Sequence, residues 1–584
     1  MSSRASGSAA ITSSKPEAAS VRQATSPPAV AVIADAHVHD IHASYGGTPF
    51  ALNGVPLTLR SWADTRASAR AFNESAAALT AALTEVCARG IRHVVLLGDY
   101  SDDGQILSTQ SLAARLHHWR QREGLSFYAL PGNHDVFGPL GRHNTNRFVT
   151  APGQSQLVTS DPNVAATEPG SRLSPQMYRK GQPAGLRPMA AFGLFRQPQY
   201  LHWESPFGLD DRAEARLFTA SSPDGLIRHQ LMEASYLVEP VPGLWLLMID
   251  ANVFEPRDGR HDPSRKKAFL DPSVAGWSAL LRVKPFLIDW IADVCARAER
   301  LGKHLMAFSH YPAVDPFDDH IGAEAALFGQ TAVARRTPTP AVAQALIRAG
   351  LQQHFSGHMH VHSVTRRQDA GRQLTNISVP SLVSFPPAFV IATPQGANAA
   401  VETVSLAHLP LDPQLMGFYR SEVPPEAPEA GLHSDRYGDF LHAQLTARSY
   451  QRISRHWPAE LARAVFTASA ADLACLLLSP EGGTAGLGDP PPETRALCDS
   501  QAALHGLTAT DLTATPLSLV VADWYALRQA GALLTPHIPQ LRLQILRFLA
   551  TLAPAPHPTQ TDTQRGFFSL FLQILATSLS RLAP

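Results

Sequence analysis

The sequence predicts an α/β protein that carries an additional helical domain at its C-terminal end. Apolar runs typical of strands alternate with helical patterns up to about position 410. Beyond that point the chain is rich in alanine and leucine at helical spacing. Hydrophobic residues form 45% and charged residues 17% of the 584 residues, so the chain has enough apolar material to be globular over most of its length.

The α/β part follows a polar N-terminal segment. Residues 1–28 are rich in serine and alanine and lack the apolar run of a secretory signal, so we expect a disordered tail there. We assign 29–410 to the α/β domain. Apolar runs and helical periodicity alternate through its first part as strand 29–34, helix 73–89, strand 93–97, helix 110–122 and strand 126–130.

The alternation stops at residue 136 and returns near residue 235. Proline, glycine and glutamine are frequent from 136 to 233, where we expect an insertion with little regular structure. The pattern resumes with strands 235–241 and 244–249, helix 285–301, strand 304–308, helix 341–349, strand 353–356 and strands within 374–392 and 400–406. The helical domain at 411–584 has candidate helices at 441–456, 461–478, 517–534, 541–552 and 567–582.

Composition argues against several classes of protein. Lys and Arg total 49, as do Asp and Glu, and a formal net charge of zero gives no general attraction to nucleic-acid phosphates. The four cysteines form no CxxC pair, which argues against a zinc knuckle or a disulfide framework. The uncharged stretch 373–401 is interrupted by prolines, and 566–580 is too short to span a membrane. We therefore expect a cytoplasmic protein without a transmembrane segment.

Polar residues cluster where predicted strands end. The clusters are Asp35 with His37, Asp99 with Asp102, Asn133 with His134, His310 alone, and His358 with His360. Because strand ends can share one edge of a sheet, we expect the clusters to form one site. Carboxylate, imidazole and amide donors without a thiolate suit divalent ions such as Mn, Fe or Zn, and a shared carboxylate would allow two ions.

The order of these clusters resembles that of the calcineurin-like metallophosphoesterase superfamily. The family signature is D-x-H, G-D-x-x-D-x-G, G-N-H-D/E, a lone His and G-H-x-H. In this chain the blocks are Asp35-Ala36-His37, Gly98 to Gly104, Gly132-Asn133-His134-Asp135, His310 in SHYP, and Gly357-His358-Met359-His360. The resemblance covers about 29–409 and implies a four-layer α-β-β-α sandwich, with two sheets face to face and helices outside.

The resemblance also implies the chemistry of the site. By motif position, one metal would be bound by Asp35, His37, Asp99 and His360, and the other by Asp99, Asn133, His310 and His358. Two divalent or mixed-valence ions bridged by Asp99 would activate a hydroxide that attacks the phosphorus of a small-molecule phosphate ester. His134 would contact the phosphate and donate a proton to the leaving oxygen, while Asp102 would orient His134.

The segment 136–233 is the predicted source of substrate selectivity. It directly follows the third block, so it must begin at the rim of the site. We expect it to fold across the mouth of the site and to select leaving groups through its aromatic residues and through Arg142 or Arg147. Those aromatic residues include Tyr178, Phe192, Phe195, Tyr200 and Trp203. The blocks themselves leave open the choice between phosphomonoesters and phosphodiesters.

Two alternatives to this interpretation remain. His37-Val38-His39 after a strand also fits the HxH opening of metal-dependent amidohydrolases on a (β/α)₈ barrel, but that interpretation gives Asp99 and His134 no role. A non-catalytic scaffold on the phosphoesterase fold is the second alternative, although no ligand position is substituted in this chain. Metal analysis separates these classes, because the phosphoesterase needs two ions and the scaffold none.

Overall fold

The computed structural model describes residues 27–259, 261–317, 320–424, 430–479, 487–488, 490–553 and 563–582. The expected tail at 1–28 therefore lies outside the described residues, except for its last two positions. The described chain is a mixed α/β structure with two large sheets, of five and seven strands. Because the strand order of both sheets is open in the described part of the chain, the (β/α)₈ barrel alternative is wrong.

The five-stranded sheet combines three strands from the start of the described chain with two from the end of the α/β part. Its strand order is Asn398–Ser405, Ala388–Gln395, Val30–Ile33, His93–Leu97 and Ser126–Leu130. The last three strands are parallel to one another. Helices Ser75–Ala88 and Ile106–Glu123 connect them, close to the helices expected at 73–89 and 110–122. This is the crossover connection that parallel strands require.

The seven-stranded sheet contains strands from between positions 202 and 378. Its strand order is His202–Glu204, Tyr236–Val241, Leu244–Ile249, His304–Ser309, Gln353–Ser356, Arg372–Ser378 and Ser363–Asp369. Leu246 and Met248 pack in the same apolar cluster as the five-stranded sheet. Leu247 and Ile249 pack instead in a cluster with the helices Pro272–Val283, Phe286–Arg300 and Pro340–Arg348. The two faces of the sheet therefore contact different partners, as the two-residue period of a strand requires.

Short elements complete the α/β part. A small hairpin pairs Phe50–Leu52 with Val55–Leu57. The remaining α-helices before position 410 are Trp62–Ala67, Pro162–Thr167, Ile321–Phe328 and Ala332–Arg336.

The expectation of little regular structure between 136 and 233 is wrong. The strands of this segment are Gly141–Arg142, Thr145–Ala151, Gln154–Thr159, Arg172–Leu173, Arg179–Lys180, His202–Glu204, Leu217–Ser221 and Arg228–Met232. The longest two, Thr145–Ala151 and Gln154–Thr159, form an antiparallel hairpin with many exposed polar residues. A strand that faces water on one side needs few apolar residues, so composition did not reveal it.

Most aromatic residues of that segment belong to the core. Phe192, Tyr200 and Trp203 are 0%, 8% and 1% exposed and pack in the cluster that contains the five-stranded sheet. The indole N–H of Trp203 donates to the carbonyl of Gly193 at 2.9 Å. Because these rings are buried in the core, the expectation that they select leaving groups is wrong for all three.

The C-terminal part is mostly helical in its described residues. Its α-helices are Pro413–Ser421, Tyr437–His456, Ala459–Thr467, Ala470–Leu478, Pro492–Leu504, Ala509–Thr513, Leu517–Ala530, Gln540–Thr551 and Gln564–Ser580. The single helix expected at 461–478 is in fact two, because Ser469 and Asp472 form a capping box that starts a new helix.

These C-terminal helices pack against the α/β part. Tyr419, Phe440 and Trp524 belong to the apolar cluster of the five-stranded sheet. The assignment of 411–584 as a separate domain remains a prediction. No described helix is both long and apolar enough to cross a membrane.

Candidate metal centre

The residues of the five sequence blocks lie where strands of both large sheets end. Asp35, Asp99 and Asn133 follow three parallel strands of the five-stranded sheet. His310 and His358 follow two parallel strands of the seven-stranded sheet. The backbone N–H of His358 donates to a carboxylate oxygen of Asp35 at 2.9 Å, which ties the two sets together. The site therefore lies between two sheets and not along the edge of one.

Asp35, His37 and His360 form the first candidate metal group. Nε2 of His360 lies 3.4 Å from Oδ1 of Asp35 and 3.3 Å from Nε2 of His37. Nε2 of His37 lies 3.9 Å from the same oxygen of Asp35. Ligands that bind one ion at roughly 2.0–2.2 Å lie within about 4.4 Å of one another. All three donor atoms meet that limit.

Asp99, His310 and His358 form the second group, with one donor atom of each within 4.8 Å of the others. Nε2 of His310 lies 3.3 Å from Oδ2 of Asp99 and 3.3 Å from Oδ1 of Asn133. Nδ1–H of His310 and Nε2–H of His358 each donate to a backbone carbonyl at 2.9 Å. These bonds fix the tautomers, so that Nε2 of His310 and Nδ1 of His358 are left as metal donors.

Asp99 lies between the two groups. Its Oδ1 accepts the backbone N–H of His134 at 2.7 Å. Its Oδ2 lies 3.3 Å from Nε2 of His310 and 3.9 Å from Nε2 of His37. One oxygen thus faces a histidine of each group, which is the position required of a shared ligand.

Several of these residues have an unusual backbone conformation. Positive φ angles occur at Asp35 (49°), His37 (41°), Asp99 (46°), His358 (68°) and His360 (53°). Among the other described residues that are not glycine, only Asn53 and Ala370 have positive φ. Such a conformation costs on the order of 1–3 kcal/mol per residue and concentrates at functional sites. The surrounding fold therefore holds the predicted ligands in place at an energetic cost.

Two glycines of the sequence blocks allow the chain to approach the carboxylates closely. A Cβ atom on Gly132 would collide with the carboxylate of Asp99. A Cβ atom on Gly357 would collide with the carboxylate of Asp35. Both positions therefore require glycine for the same steric reason.

Burial and neighbouring charges shift the pKa values of several groups in the site. Burial would raise the pKa of Asp99, but His310 and His134 outweigh it and hold the pKa well below its usual range. Burial would lower the pKa of His310, but Asp99 outweighs it and raises the pKa to about 9. Burial lowers the pKa values of His37 and His358, which favours their neutral form. Neutral imidazole is the form that binds a metal.

The donor set fits two divalent ions. Oδ1 of Asp35 is buried and has no hydrogen-bond partner in the described part of the chain, although it faces two imidazole nitrogens. A buried carboxylate oxygen without a partner is costly, and a cation between these donors would satisfy it. The seven predicted ligands supply four imidazoles, two carboxylates and one amide, a set typical of Mn, Fe or Zn.

His134 lies beside the metal groups on the more open side of the site. Its side chain is 32% exposed, whereas that of Asp99 is 3% exposed. Nδ1 of His134 lies 2.6 Å from Oδ1 of Asp103. Burial would raise the pKa of Asp103, but Arg70 and the bond to His134 hold it well below its usual range. Asp103 is therefore an anion that fixes the orientation of His134.

The expectation that Asp102 orients His134 is wrong, because the neighbouring Asp103 takes that position. Asp102 is fully buried, with its carboxylate 3.3 Å from Arg70 and 3.7 Å from Arg60. Two successive aspartates of one turn point in different directions, and nothing in the local sequence indicates which one faces the histidine. The contacts of Asp102 are those of a structural ion pair.

Two arginines of the site were not predicted from the sequence. The guanidinium of Arg70 contacts Nδ1 of His37. Arg179 donates to the carbonyl of Asn133 at 3.1 Å and to a carboxylate oxygen of Asp103 at 3.1 Å. Neither arginine belongs to a sequence block, so no local signal marks it. Both bring positive charge to the side of the site where His134 lies.

Two C-terminal helices hold the loop that follows His358 and His360. The backbone N–H of His362 donates to the carbonyl of Gln529 at 2.9 Å. The guanidinium of Arg581 donates to the carbonyl of His362 at 2.6 Å. Gln529 lies in helix Leu517–Ala530, and Arg581 caps helix Gln564–Ser580. The helical part therefore contacts the last ligand-bearing loop directly.

Comparison with known proteins gives a match to one family model and similarities to solved structures. The family model of calcineurin-like phosphoesterases matches residues 28–174. A dimetal phosphatase from Danio rerio is 15% identical, with 65% of this chain and 98% of that chain covered and a TM-score of 0.31. The phosphopantetheinyl hydrolase of Mycobacterium tuberculosis is 12% identical, with coverages of 61% and 90% and a TM-score of 0.22. No curated protein matches the sequence.

Both TM-scores are too low for these structural similarities to support a conclusion about this chain. The family match contains the first three sequence blocks, while His310, His358 and His360 lie beyond its end. The structure nevertheless brings these three histidines to Asp35 and Asp99. The match and the two metal-ligand groups together identify a calcineurin-like phosphoesterase domain in this chain, recognised at residues 28–174.

Proposed function

We propose that this protein hydrolyses phosphate esters of small molecules with the help of two divalent ions. The observation that carries the proposal is the position of Asp99. One of its oxygens lies 3.9 Å from His37 of the first group and 3.3 Å from His310 of the second. A carboxylate so placed can serve two ions at once. The family match over 28–174 supports the same class of reaction.

The predicted ligands divide between two metal positions. We assign one ion to Asp35, His37, Asp99 and His360, and the other to Asp99, Asn133, His310 and His358. When bound, the ions would polarise the phosphoryl group and lower the pKa of a coordinated water. The side chains of the pocket would hold these ions through four imidazoles, each of which binds a metal in its neutral form.

His134 is assigned to protonate the leaving oxygen of the ester. Its contact with Asp103 through Nδ1 leaves Nε2 to meet the substrate. An anionic Asp103 stabilises the cationic imidazole that general acid catalysis requires. Arg70 and Arg179 add positive charge on the same side, which suits a substrate that carries a phosphate.

The proposal also includes the domain organisation of the chain. We propose that the α/β part, 29–410, has the four-layer α-β-β-α order and that 411–584 is a helical domain attached to it. The separation of Leu246 and Leu247 into different apolar clusters supports the layer order. The substrate proposal remains at the level of small phosphate esters, either monoesters or diesters.

The test is hydrolysis of p-nitrophenyl phosphate and bis(p-nitrophenyl) phosphate by protein that has been stripped with a chelator and reloaded with Mn, Fe or Zn. We expect activity only after reloading, and loss of most activity and of one ion in His310→Ala. His304→Ala is the matched control, because His304 begins the strand that ends before His310. Equal turnover with and without metal, or full metal content in His310→Ala, would overturn the proposal.

A further inference from the structure

We propose that a basic cleft beside the metal centre binds a second phosphate group, so that the preferred substrate is a phosphate ester whose leaving group carries another phosphate. The cleft is formed by Arg142 and His143 of the insertion and by Arg265 and Lys266 of a later loop. The inference rests on the proposed phosphoesterase function and names the class of leaving group.

The cleft is large enough to hold part of a substrate. It encloses about 390 Å³ and opens into a neighbouring cavity of about 550 Å³, with which it shares Asp262, Arg265 and Lys266. Lys267 adds a further cation to the second cavity. Ligand pockets commonly have volumes of roughly 300–1,000 Å³. Both cavities fall within that range.

The carboxylates in the cleft are already engaged by their own turns. Asp161 caps a short helix by accepting the backbone N–H of Asn163 at 2.9 Å. Asp262 accepts both the backbone N–H and the hydroxyl of Ser264, at 2.9 and 2.7 Å. It also lies 3.8 Å from Arg265, a pair exposed to solvent on both sides and therefore weak. Lys266 pairs with Asp271 at 3.1 Å, so Arg142 is the arginine or lysine of the cleft that has no carboxylate partner among the described residues.

Arg142 is the cation that most clearly lacks an anion. Among the described residues it has no ion-pair partner, and its buried Nε has no hydrogen-bond partner. Its guanidinium lies over the ring of Phe137 at 5.3 Å. Its neighbour across the strand pair is another cation, Arg179. A partly buried guanidinium beside a second cation is unfavourable, and a bound anion would compensate for it.

The strand pair that carries Arg142 is fixed to the metal centre. Arg179, directly opposite Arg142, donates to Asn133 and to Asp103 at 3.1 Å each. Asn144, two residues after Arg142, donates to the carbonyl of Asp103 at 2.8 Å. Asp103 is the partner of His134, the residue assigned to the leaving oxygen. A group bound by Arg142 would therefore belong to the leaving group of the ester.

Arg147, the other arginine proposed from the sequence, does not fit this role. It is exposed and pairs with Glu168 at 2.6 Å on the outer hairpin. It belongs to the same insertion and has the same charge as Arg142. These features make Arg147 the matched control for a test of Arg142.

The experiment compares α,ω-alkanediol bisphosphates with the corresponding alkyl monophosphates as substrates of the metal-loaded protein. We expect the best bisphosphate to have a kcat/KM about tenfold above that of its monophosphate partner, the size of one charge-assisted hydrogen bond. Arg142→Gln should abolish that preference, mainly through KM, without a change in monophosphate turnover or metal content. Arg142→Lys should restore part of it, and Arg147→Gln should leave it intact.

A binding measurement separates this inference from the proposed function. Calorimetry with the non-hydrolysable propane-1,3-diphosphonic acid, compared with propylphosphonic acid, reports the second site without turnover. If no ester is hydrolysed but the diphosphonate binds in an Arg142-dependent way, the proposed function fails and the cleft assignment stands. If esters are hydrolysed but neither the preference nor diphosphonate binding depends on Arg142, the cleft assignment is overturned. Equal effects of Arg142→Gln and Arg147→Gln would also overturn it.

Discussion

The insertion at 136–233 and the C-terminal helices both reach the metal centre, but they contact different parts of it. The insertion contacts Asp103, the partner of His134, through Arg179 and Asn144. The C-terminal helices hold the backbone of His362, two residues beyond a predicted ligand. Under the proposed function, the first region therefore contacts groups that would face the substrate, and the second contacts the loop of a predicted metal ligand. We expect variants of the first to change turnover or selectivity, and variants of the second to change metal affinity.

The largest expected effect comes from Asp99, which lies between the two metal groups. Asp99→Asn keeps the size of the side chain but removes its charge, so both ions should be lost. We expect kcat/KM to fall by about 10³-fold, since two metals supply several kcal/mol of charge stabilisation. Elemental analysis provides the direct measurement, with His37→Ala as the comparison that should weaken mainly one ion. Full occupancy in the Asp99 variant would contradict its role as a shared ligand.

A variant of His134 tests the proposed role of the groups that face the substrate. His134→Ala should lower kcat by about 10²–10⁴-fold, the usual contribution of general acid catalysis, without loss of metal. The assay needs an ester with a poor leaving group, because an activated leaving group needs no proton. A variant that loses its metals would show that His134 is a ligand and not an acid.

Variants of Asp102 and Asp103 test which aspartate orients His134. Asp103→Asn should lower kcat by about tenfold, because it removes the anion that orients His134, and it should also lower thermal stability, because Asp103 pairs with Arg70 and Arg179. Asp102→Asn should lower the free energy of unfolding by about 3 kcal/mol, because it removes a buried partner of Arg60 and Arg70. Thermal melts and steady-state kinetics on both variants separate the two roles. The reverse pattern would return the orienting role to Asp102.

The smallest expected effect is a change in metal affinity caused by a variant in the C-terminal helices. Arg581→Ala removes the hydrogen bond to the carbonyl of His362 and should weaken binding of the ion near His360 by about fivefold. Because the effect is on affinity, excess metal should restore kcat. Arg547→Ala, an exposed arginine on helix Gln540–Thr551, is the control. A lower kcat at saturating metal would show that the helices act on the substrate side as well.

The sequence allowed the metal groups to be predicted more fully than their surroundings. Predicted ligands such as Asp35 and His360 stand in short blocks at strand ends, where their spacing marks them. Asp102 and Asp103 are adjacent in one turn, and only the direction of each side chain separates their roles. Arg70 and Arg179 reach the site through tertiary contacts and belong to no block, so nothing local could have predicted them.

The same contrast holds for the fold. The buried strands His93–Leu97 and Ser126–Leu130 begin and end where their apolar runs predict. The hairpin of Thr145–Ala151 and Gln154–Thr159 was missed because exposed strands carry little apolar signal. The break at Ser469 inside an expected helix was missed because local capping overrides a continuous apolar pattern.

The left-handed backbone of the ligand positions has a consequence for how this site can evolve. At Asp35, His37, Asp99, His358 and His360 the backbone excludes β-branched side chains before any metal chemistry is tested. Asparagine, aspartate, histidine and glycine tolerate this conformation best. A random library at these positions would therefore contain few folded members, and those members would carry only a few residue types. A change of metal preference would therefore require substitutions among these few residue types. The loops around the site can vary more freely, so new activities would arise there more readily.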